Sequence, residues 1–278
     1  MKSILVGAVA YDPRVVQIWD IIKEFFEQQG RPIDYVFYSN YEMLVDGLIG
    51  GHIDIAWNSP LAWLDAQRRT GGTCRAIAMR DTDRDRVSHL LVRQDSGIRS
   101  VSDLRGKTVA TGASDSPQAT LIPLNMLARD GLAPETDFQV RRFEVAVGKH
   151  GDHVGGELNA LGSLLNGESD ACAVLDLNWD RWATDGTADP AKIRVLATTR
   201  KFDHCNFTVT DRFSAASEEQ WKAALFSMSY SNPLHQEMMD LEGLKEWLPG
   251  RTIGYAELDE AVQRFHFFDA TRSKENIL

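Results

Sequence analysis

Residues 44–62 read LVDGLIGGHIDIAWNSPLA, and this stretch decides the fold class. Its apolar residues recur at helical spacing as far as Ile49, and Gly50-Gly51 ends the predicted helix. Residues 53–57 are apolar except for Asp54, which is typical of a buried strand. Pro60 then opens a second helix, because proline is tolerated in the first turn of a helix. Helix, buried strand and helix in such close succession indicate the βα units of an α/β protein.

The same alternation of apolar runs and amphipathic stretches extends through most of the chain. It predicts strands at 3–9, 34–38, 88–92, 108–111, 138–145, 171–175, 193–197 and 207–209, and helices at 15–28, 117–130, 157–166 and within 219–278. A turn-rich crossover at 94–104 separates two series of βα units. The predicted fold class is therefore α/β with two lobes, each a mainly parallel sheet flanked by helices.

Composition excludes several classes of protein. The 278 residues suffice for two mid-sized domains, and the net charge of −10 comes from interspersed charges without the basic face that a nucleic-acid surface needs. No stretch approaches the roughly 20 apolar residues of a membrane helix. The three cysteines lie far apart, so they imply no disulfide framework. We expect neither a nucleic-acid partner nor insertion into a membrane.

Three segments, in this order, carry a resemblance to a known family. The first is residues 44–62, and the second is Asp103-Leu104-Arg105-Gly106-Lys107-Thr108-Val109-Ala110 followed by Ser116 and Leu121-Ile122-Pro123. The third is Leu164-Leu165-Asn166-Gly167-Glu168-Ser169-Asp170-Ala171. Together they resemble the periplasmic solute-binding proteins, and within them the phosphonate/phosphite-binding branch.

The resemblance implies a type 2 periplasmic-binding-protein fold with a ligand cleft between its lobes. Lobe I is expected to comprise residues 1–92 plus 206–278, and lobe II residues 93–205. It also implies reversible capture of a small anionic or zwitterionic solute, as the substrate-binding component of a phosphonate/phosphate-type ABC importer with its permease as partner. The chain is then periplasmic if an export signal has been removed from it, and cytoplasmic if Met1 is the native start.

Polar side chains in the loops at the carboxyl ends of the strands are the candidates for ligand binding, because helix N-termini also point there. They are Tyr11, Asn58, Ser59, Ser114, Ser116, Gln118, His150, His153, Glu157, Asp176, His204 and Cys205. Ser59 and Ser116 stand directly before prolines, where each is equally suited to cap a helix. In phosphonate binders the second of these positions is followed by further hydroxyl residues, whereas this chain has Pro117-Gln118.

The histidines and Cys205 leave an alternative open. His150, His153, His204 and Cys205 offer a borderline-soft set of metal ligands, although their spacing matches no compact zinc motif. Cys205 beside His204 is also the residue pair of a cysteine nucleophile with its base. The alternative function is thus a cytoplasmic enzyme or ligand sensor on the same fold, with or without a metal. The leading interpretation is a binding protein with no catalytic residue, resident metal or cofactor.

Overall fold

The computed structural model describes residues 3–150 and 156–269, apart from the side chain of Leu234. The described residues divide into two compact units. The first unit consists of residues 3–84 and 203–255, and the second of residues 85–150, 156–202 and 256–269. The chain therefore passes from one unit to the other three times, after residues 84, 202 and 255.

Strands and helices alternate as the sequence predicts through most of both units. The strands are β1 (Ile4–Val9), β2 (Ile33–Tyr38), β3 (Ile55–Asn58), β4 (Arg75–Arg80), β5 (Ser88–Arg93), β6 (Thr108–Thr111), β7 (Gln139–Arg142), β8 (Ala171–Leu175), β9 (Ile193–Thr198), β10 (Asn206–Val209) and β11 (Trp247–Pro249). The α-helices are α1 (Arg14–Gln28), α2 (Tyr41–Gly50), α3 (Pro60–Arg69), α4 (Ile122–Arg129), α5 (Gly156–Leu165), α6 (Asp176–Asp185), α7 (Ala215–Phe226), α8 (Pro233–Glu242) and α9 (Ala256–Arg264).

The sheet of the first unit has the strand order β11-β4-β10-β3-β1-β2. β1 pairs in parallel with β2 and β3, while β10 runs antiparallel to both β3 and β4. Apolar side chains cover both faces: Trp19, Phe26 and Phe207 belong to one buried cluster, and Leu44 and Trp63 to the other. Burial on both faces explains why residues 55–57 of β3 are all apolar.

The sheet of the second unit has the strand order β7-β6-β8-β5-β9. β6 pairs in parallel with β7 and β8, whereas β5 runs antiparallel to β8 and β9. Both sheets are therefore mixed, with most of their strands running in the same direction. The strands that run against the rest include β5 and β10, each of which follows a passage of the chain between the units.

The unit boundaries differ from the expected lobes at three places. Residues 85–92 lie in the second unit, because β5 is hydrogen-bonded between β8 and β9. Residues 203–205 lie in the first unit, where the His204 N–H donates to the Asp83 carbonyl oxygen (2.7 Å). Residues 256–269 lie in the second unit, since α9 packs against α4. There Arg129 pairs with Glu257 and Glu260 at 2.9 and 2.8 Å.

None of the helices in the described part of the chain is long and apolar enough to cross a membrane.

Candidate functional site

The start of the helical segment after β6 has the strongest local geometry for binding an anion. Ser116 caps it: the Ser116 hydroxyl oxygen accepts the Ala119 N–H (3.2 Å), and Pro117 occupies the first turn, which confirms the predicted cap. Gly112 lets the backbone come this close, because a Cβ there would lie 2.8 Å from Ala119 Cβ. A helix N-terminus carries roughly half a positive charge, so this position attracts negative groups.

Pro123 changes the hydrogen bonding of this helix start. Pro123 has no N–H to offer to Ala119, four residues earlier in the helix. The preceding turn widens, so that Leu121 N–H donates to Ser116 O and Ile122 N–H to Pro117 O, each five residues back. Residues 117–121 therefore form one π-turn before α4 begins.

The widened turn leaves two carbonyl groups that other parts of the second unit satisfy. The carbonyl oxygen of Gln118 accepts the hydroxyl of Ser88 on β5 (2.6 Å). The carbonyl oxygen of Ala119 accepts the N–H of Gly112 (3.3 Å). Ser88 and Gly112 thus fix the orientation of the helix start against the sheet.

Three side-chain atoms around this helix start are buried and lack a hydrogen-bond partner among the described residues. They are Thr120 Oγ1, Gln118 Oε1 and Asp115 Oδ1, and their residues are 1%, 1% and 7% exposed. Buried polar atoms are normally paired, so each orphan requires an explanation such as a bound ligand or water. Thr120 lies four residues after Ser116, hence on the same face of the helical segment. Thr120 and Asp115 are not among the residues predicted from the sequence, although the four-residue spacing of Ser116 and Thr120 is a signal that could have indicated Thr120.

Carboxylates also surround the helix start. The Ser114 N–H donates to Glu144 Oε2 (2.9 Å), and Asp115 Oδ2 accepts the Gly148 N–H (2.6 Å). Burial raises the pKa of Asp115, because the charged form loses its hydration. Negative charge beside a helix N-terminus favours an anion that carries no more than one charge or that brings hydrogen-bond donors of its own.

Glu157 is a buried carboxyl group of the second unit. Glu157 is one of the predicted ligand-binding residues and is 2% exposed. Its Oε2 accepts the Leu175 N–H (2.7 Å) and the Asn178 amide (3.0 Å), and its Oε1 accepts the Gln118 amide at 3.4 Å. Glu157 therefore ties the first turn of α5 to the start of α6 and to the Ser116 helix.

Asp176 and His150 also have roles within the second unit. The Asp176 carboxylate faces Arg86 (Oδ2 to Nη1, 3.6 Å) and accepts the Leu177 N–H (2.9 Å). His150 is half-buried with a positive φ of 53°, and burial lowers its pKa to about 3. Its imidazole is therefore neutral at neutral pH. His153 lies outside the described residues.

Tyr11 lies in the first unit in the loop after β1. It is half-buried and packs against the apolar cluster of that unit. The neighbouring Asp12 carboxylate accepts the Arg14 N–H (2.8 Å) and pairs with the Arg14 side chain (3.0 Å), which lowers the pKa of Asp12. Asp12 is thus held locally at the start of α1.

Asn58 and Ser59 lie at the end of β3 and the start of α3. The Ser59 hydroxyl oxygen caps α3 by accepting the Ala62 N–H (3.1 Å). The fully buried Asn58 amide donates to the Thr208 hydroxyl oxygen (2.9 Å), while Asn58 Oδ1 has no partner among the described residues. The residue directly before the cap of α3 thus carries an orphan acceptor.

His204 and Cys205 lie together in the first unit, whereas His150 belongs to the second. Nδ1 of His204 is 3.1 Å from Cys205 Sγ and 3.5 Å from Asp83 Oδ1. A nucleophile and base oriented by a carboxylate would use the two different ring nitrogens, but here both contacts meet at Nδ1. This geometry does not support a cysteine nucleophile.

The same three side chains are the one group among the described residues whose ligand atoms lie close enough to hold a metal, within 4.8 Å of one another. Arg80, however, pairs with both carboxylate oxygens of Asp83 (2.7 and 2.8 Å). Burial opposes ionisation of Asp83, but Arg80 outweighs it and holds the pKa well below its usual range. A divalent cation would meet this guanidinium, so the cluster fits an internal ion pair better than a metal site.

Comparison with known proteins identifies the family. Residues 8–252 match the model of the family described as the periplasmic substrate-binding protein of phosphonate ABC transporters. The chain belongs to this family. It therefore belongs among proteins that bind a solute for an ABC transporter in the periplasm, and the comparisons do not favour the enzyme or sensor alternative.

Two curated relatives are distant in sequence. The chain is 19% identical over 254 residues to the probable ABC transporter phosphite binding protein PhnD1 of Prochlorococcus marinus (strain MIT 9301), covering 88% of this chain and 82% of the relative. It is 26% identical over 196 residues to the phosphate-import protein PhnD of Mycolicibacterium smegmatis, covering 67% of this chain and 56% of the relative.

Two solved structures show the fold. PhnD1 in complex with methylphosphonate is similar with a TM-score of 0.70 at 17% identity, over 95% of this chain and 98% of that one. XAC2383 from Xanthomonas citri, bound to ATP, has a TM-score of 0.74 at 19% identity with the same coverage. The two-lobed periplasmic-binding-protein fold that the sequence predicts is therefore confirmed.

Proposed function

We propose that this protein is the periplasmic substrate-binding component of an ABC importer and that it binds a small phosphonate-type oxyanion. The helix start at Ser116 carries the proposal. There an N-terminal dipole, a buried orphan hydroxyl and a buried orphan amide oxygen meet within a few residues of sequence. Family membership supports the role in transport, and the names of the curated relatives support phosphite, phosphonate or phosphate as the class of ligand.

In the second unit we propose Thr120 as the main side-chain donor to the ligand, with Ser114 and Gln118 beside it. Thr120 Oγ1 carries a proton that no described residue accepts. A hydrogen bond to a charged oxygen contributes roughly 1.5–3 kcal/mol, enough to account for a tenfold or greater share of affinity. Ser116 contributes through the cap that fixes the helix N-terminus.

In the first unit we propose Tyr11, Asn58 and Ser59 as ligand-binding residues, because they occupy the loops at the carboxyl ends of β1 and β3. His150, His153, Asp176, His204 and Cys205 are weaker proposals, since the described ones among them have partners or surroundings within their own units.

Titration calorimetry with methylphosphonate, phosphite and phosphate tests the proposed function. We expect at least one of the three to bind, and Thr120→Val to weaken that binding by about tenfold through loss of one charged hydrogen bond. Thr111→Val is the matched control, because Thr111 is equally buried in the same unit and its hydroxyl donates to the Gly112 carbonyl oxygen (3.3 Å).

Equal losses of affinity in the two variants would show that Thr120 acts through stability alone. If none of the three oxyanions binds, the proposed ligand class is wrong.

A further inference from the structure

We infer that Tyr255, acting through Asn206 and Thr208, fixes the Asn58 amide so that its carbonyl oxygen faces the ligand, and that the ligand is held there through a hydrogen-bond donor. A singly protonated phosphonate, with its P–OH group, is an anion of this kind. The inference rests on the proposed function, which it deepens by naming the protonation state and the residue that selects it.

The four side chains form one continuous chain of hydrogen bonds in the first unit. It starts at the end of β3, crosses to β10 and ends at the last residue of the first unit, Tyr255. Asn58 and Asn206 are directly opposed across the two strands, and Thr208 follows on the same face of β10. The residues are between 0 and 2% exposed, so these bonds are shielded from bulk solvent.

The direction of the chain is fixed at its Tyr255 end. The carbonyl oxygen of His204 can only accept, so the Tyr255 hydroxyl donates its single proton to it (2.9 Å). The Tyr255 oxygen then accepts from Asn206 Nδ2 (2.8 Å), which leaves Asn206 Oδ1 to accept the Thr208 proton (2.7 Å). Thr208 has no second proton, so its oxygen accepts from Asn58 Nδ2 (2.9 Å).

This order leaves Asn58 Oδ1 as an acceptor with no partner among the described residues. Turning the amide over would place Oδ1 against the Thr208 oxygen, whose proton is already donated, and would cost the buried pair its hydrogen bond. The chain therefore holds the amide in one orientation. Asn58 stands immediately before Ser59, the cap of α3, so the orphan acceptor belongs to the residue next to a helix N-terminus, a position that attracts an anion.

A hydrogen-bond acceptor in an anion-binding site favours anions that carry a proton they can donate to it. A phosphonate that keeps one P–OH group can donate to Asn58 Oδ1, whereas a sulfonate of the same shape has no proton to give and meets the carbonyl oxygen with its own oxygen. The second unit taken by itself has the same excess of acceptors, because Asp115 Oδ1 and Gln118 Oε1 also lack partners among the residues described there. A protonated monoanion is the ligand class that both observations favour.

Calorimetry with methylphosphonate and methanesulfonate tests the inference on the full chain. The two ligands have nearly the same size, and only the first can carry an acidic proton. We expect the wild-type protein to bind methylphosphonate about tenfold or more tightly, since a buried acceptor left unpaired is costly. Phosphorus NMR of the bound ligand, at a pH where free methylphosphonate is fully ionised, should show the shift of the protonated form.

Two variants test whether the hydrogen-bond chain sets the selectivity. Thr208→Val removes the acceptor that holds Asn58 Nδ2, and Tyr255→Phe removes the group that fixes the direction. Both should reduce the ratio of the two affinities, because the amide becomes free to turn its Nδ2 toward the ligand. Thr70→Val is the control: the Thr70 hydroxyl donates to the Ala66 carbonyl oxygen (2.7 Å) in the same unit but outside the chain, so its ratio should stay as in the wild type.

The outcomes separate the inference from the proposed function. Equal affinity for the two ligands, or a fully ionised bound phosphonate, overturns the inference while leaving the proposed function in place. So does an unchanged ratio in Thr208→Val and Tyr255→Phe when only their melting temperatures fall. If no phosphonate-type oxyanion binds, the proposed function fails first and the inference falls with it.

Discussion

Two helices of this chain begin with the same dipeptide and are capped in the same way, yet only one continues as a regular α-helix. Ser59-Pro60 starts α3, where the serine oxygen accepts the N–H three residues on at 3.1 Å. Ser116-Pro117 starts the segment before α4, with the equivalent bond at 3.2 Å. The local sequence determines the cap in both cases.

The difference comes from a residue beyond the cap. Pro123 lies six residues after Pro117 and opens the π-turn, whereas the corresponding position after Pro60 is Ala66, which has an N–H to give. At the first helix start, the backbone carbonyl groups can be satisfied by N–H groups of the same helix. The second depends on a hydroxyl of a distant strand, Ser88, to satisfy the carbonyl group that the turn releases. Buried side-chain atoms without a partner among the described residues occur at both starts, in Asn58 before the first and in Gln118 and Thr120 within the second.

The largest effect is expected from removing the distant hydroxyl. Ser88→Ala leaves the buried Gln118 carbonyl oxygen without its donor, and we expect a loss of about 2 kcal/mol in the free energy of unfolding. Ser227→Ala is the control, because its hydroxyl donates to the Ala224 carbonyl oxygen (2.7 Å) in a part-buried position where water can replace it. Chemical denaturation compares the two, and equal losses would contradict the role assigned to Ser88.

A smaller and equal effect is expected from the two caps. Ser59→Ala and Ser116→Ala each remove one acceptor of an N-terminal N–H, and each should cost about 1 kcal/mol of folding free energy. Differential scanning calorimetry of both variants, together with methylphosphonate binding, checks this. A much larger loss in Ser116→Ala would show that the cap also holds the π-turn, and the symmetry between the two helix starts would then be confined to their geometry.

The sequence predicted those parts of the fold that depend on local pattern. Residues within a few positions determine the helix starts at Ser59 and Ser116. They also determine the buried strand at the end of residues 44–57. Strand β4 was missed, because its short apolar centre lies between Arg75 and Arg80 and shows no clear alternation. Residues 88–92 were expected in the first lobe, whereas β5 pairs with β8 and β9 of the second unit. The sequence of an apolar strand does not indicate which sheet it joins.

The candidate site was less predictable from the sequence, because its side chains depend on contacts with distant segments. Glu157 and Asp176 occupy loops where a ligand contact is plausible from sequence, but the partners that hold them, such as Arg86, come from distant segments. The Thr120 hydroxyl has no partner among the described residues. The orientation of the Asn58 amide is set by Thr208, which lies 150 positions away in the sequence. Such properties arise only after the chain has folded.

The smallest effect on stability is expected at Asp115, whose negative charge lies at the second helix start. Because burial raises the pKa of Asp115, its ionised form costs folding free energy at neutral pH, and this cost disappears once the carboxyl group is protonated. Asp115→Asn keeps an oxygen that can accept the Gly148 N–H. The variant should therefore be slightly more stable than the wild type at pH 7, with a difference that vanishes as the pH falls below the ordinary aspartate pKa of about 3.9. Urea unfolding at a series of pH values measures it. A variant that is less stable at neutral pH would show that the negative charge stabilises the helix start, as a carboxylate beside a helix dipole does, and would remove the electrostatic argument for a singly charged ligand.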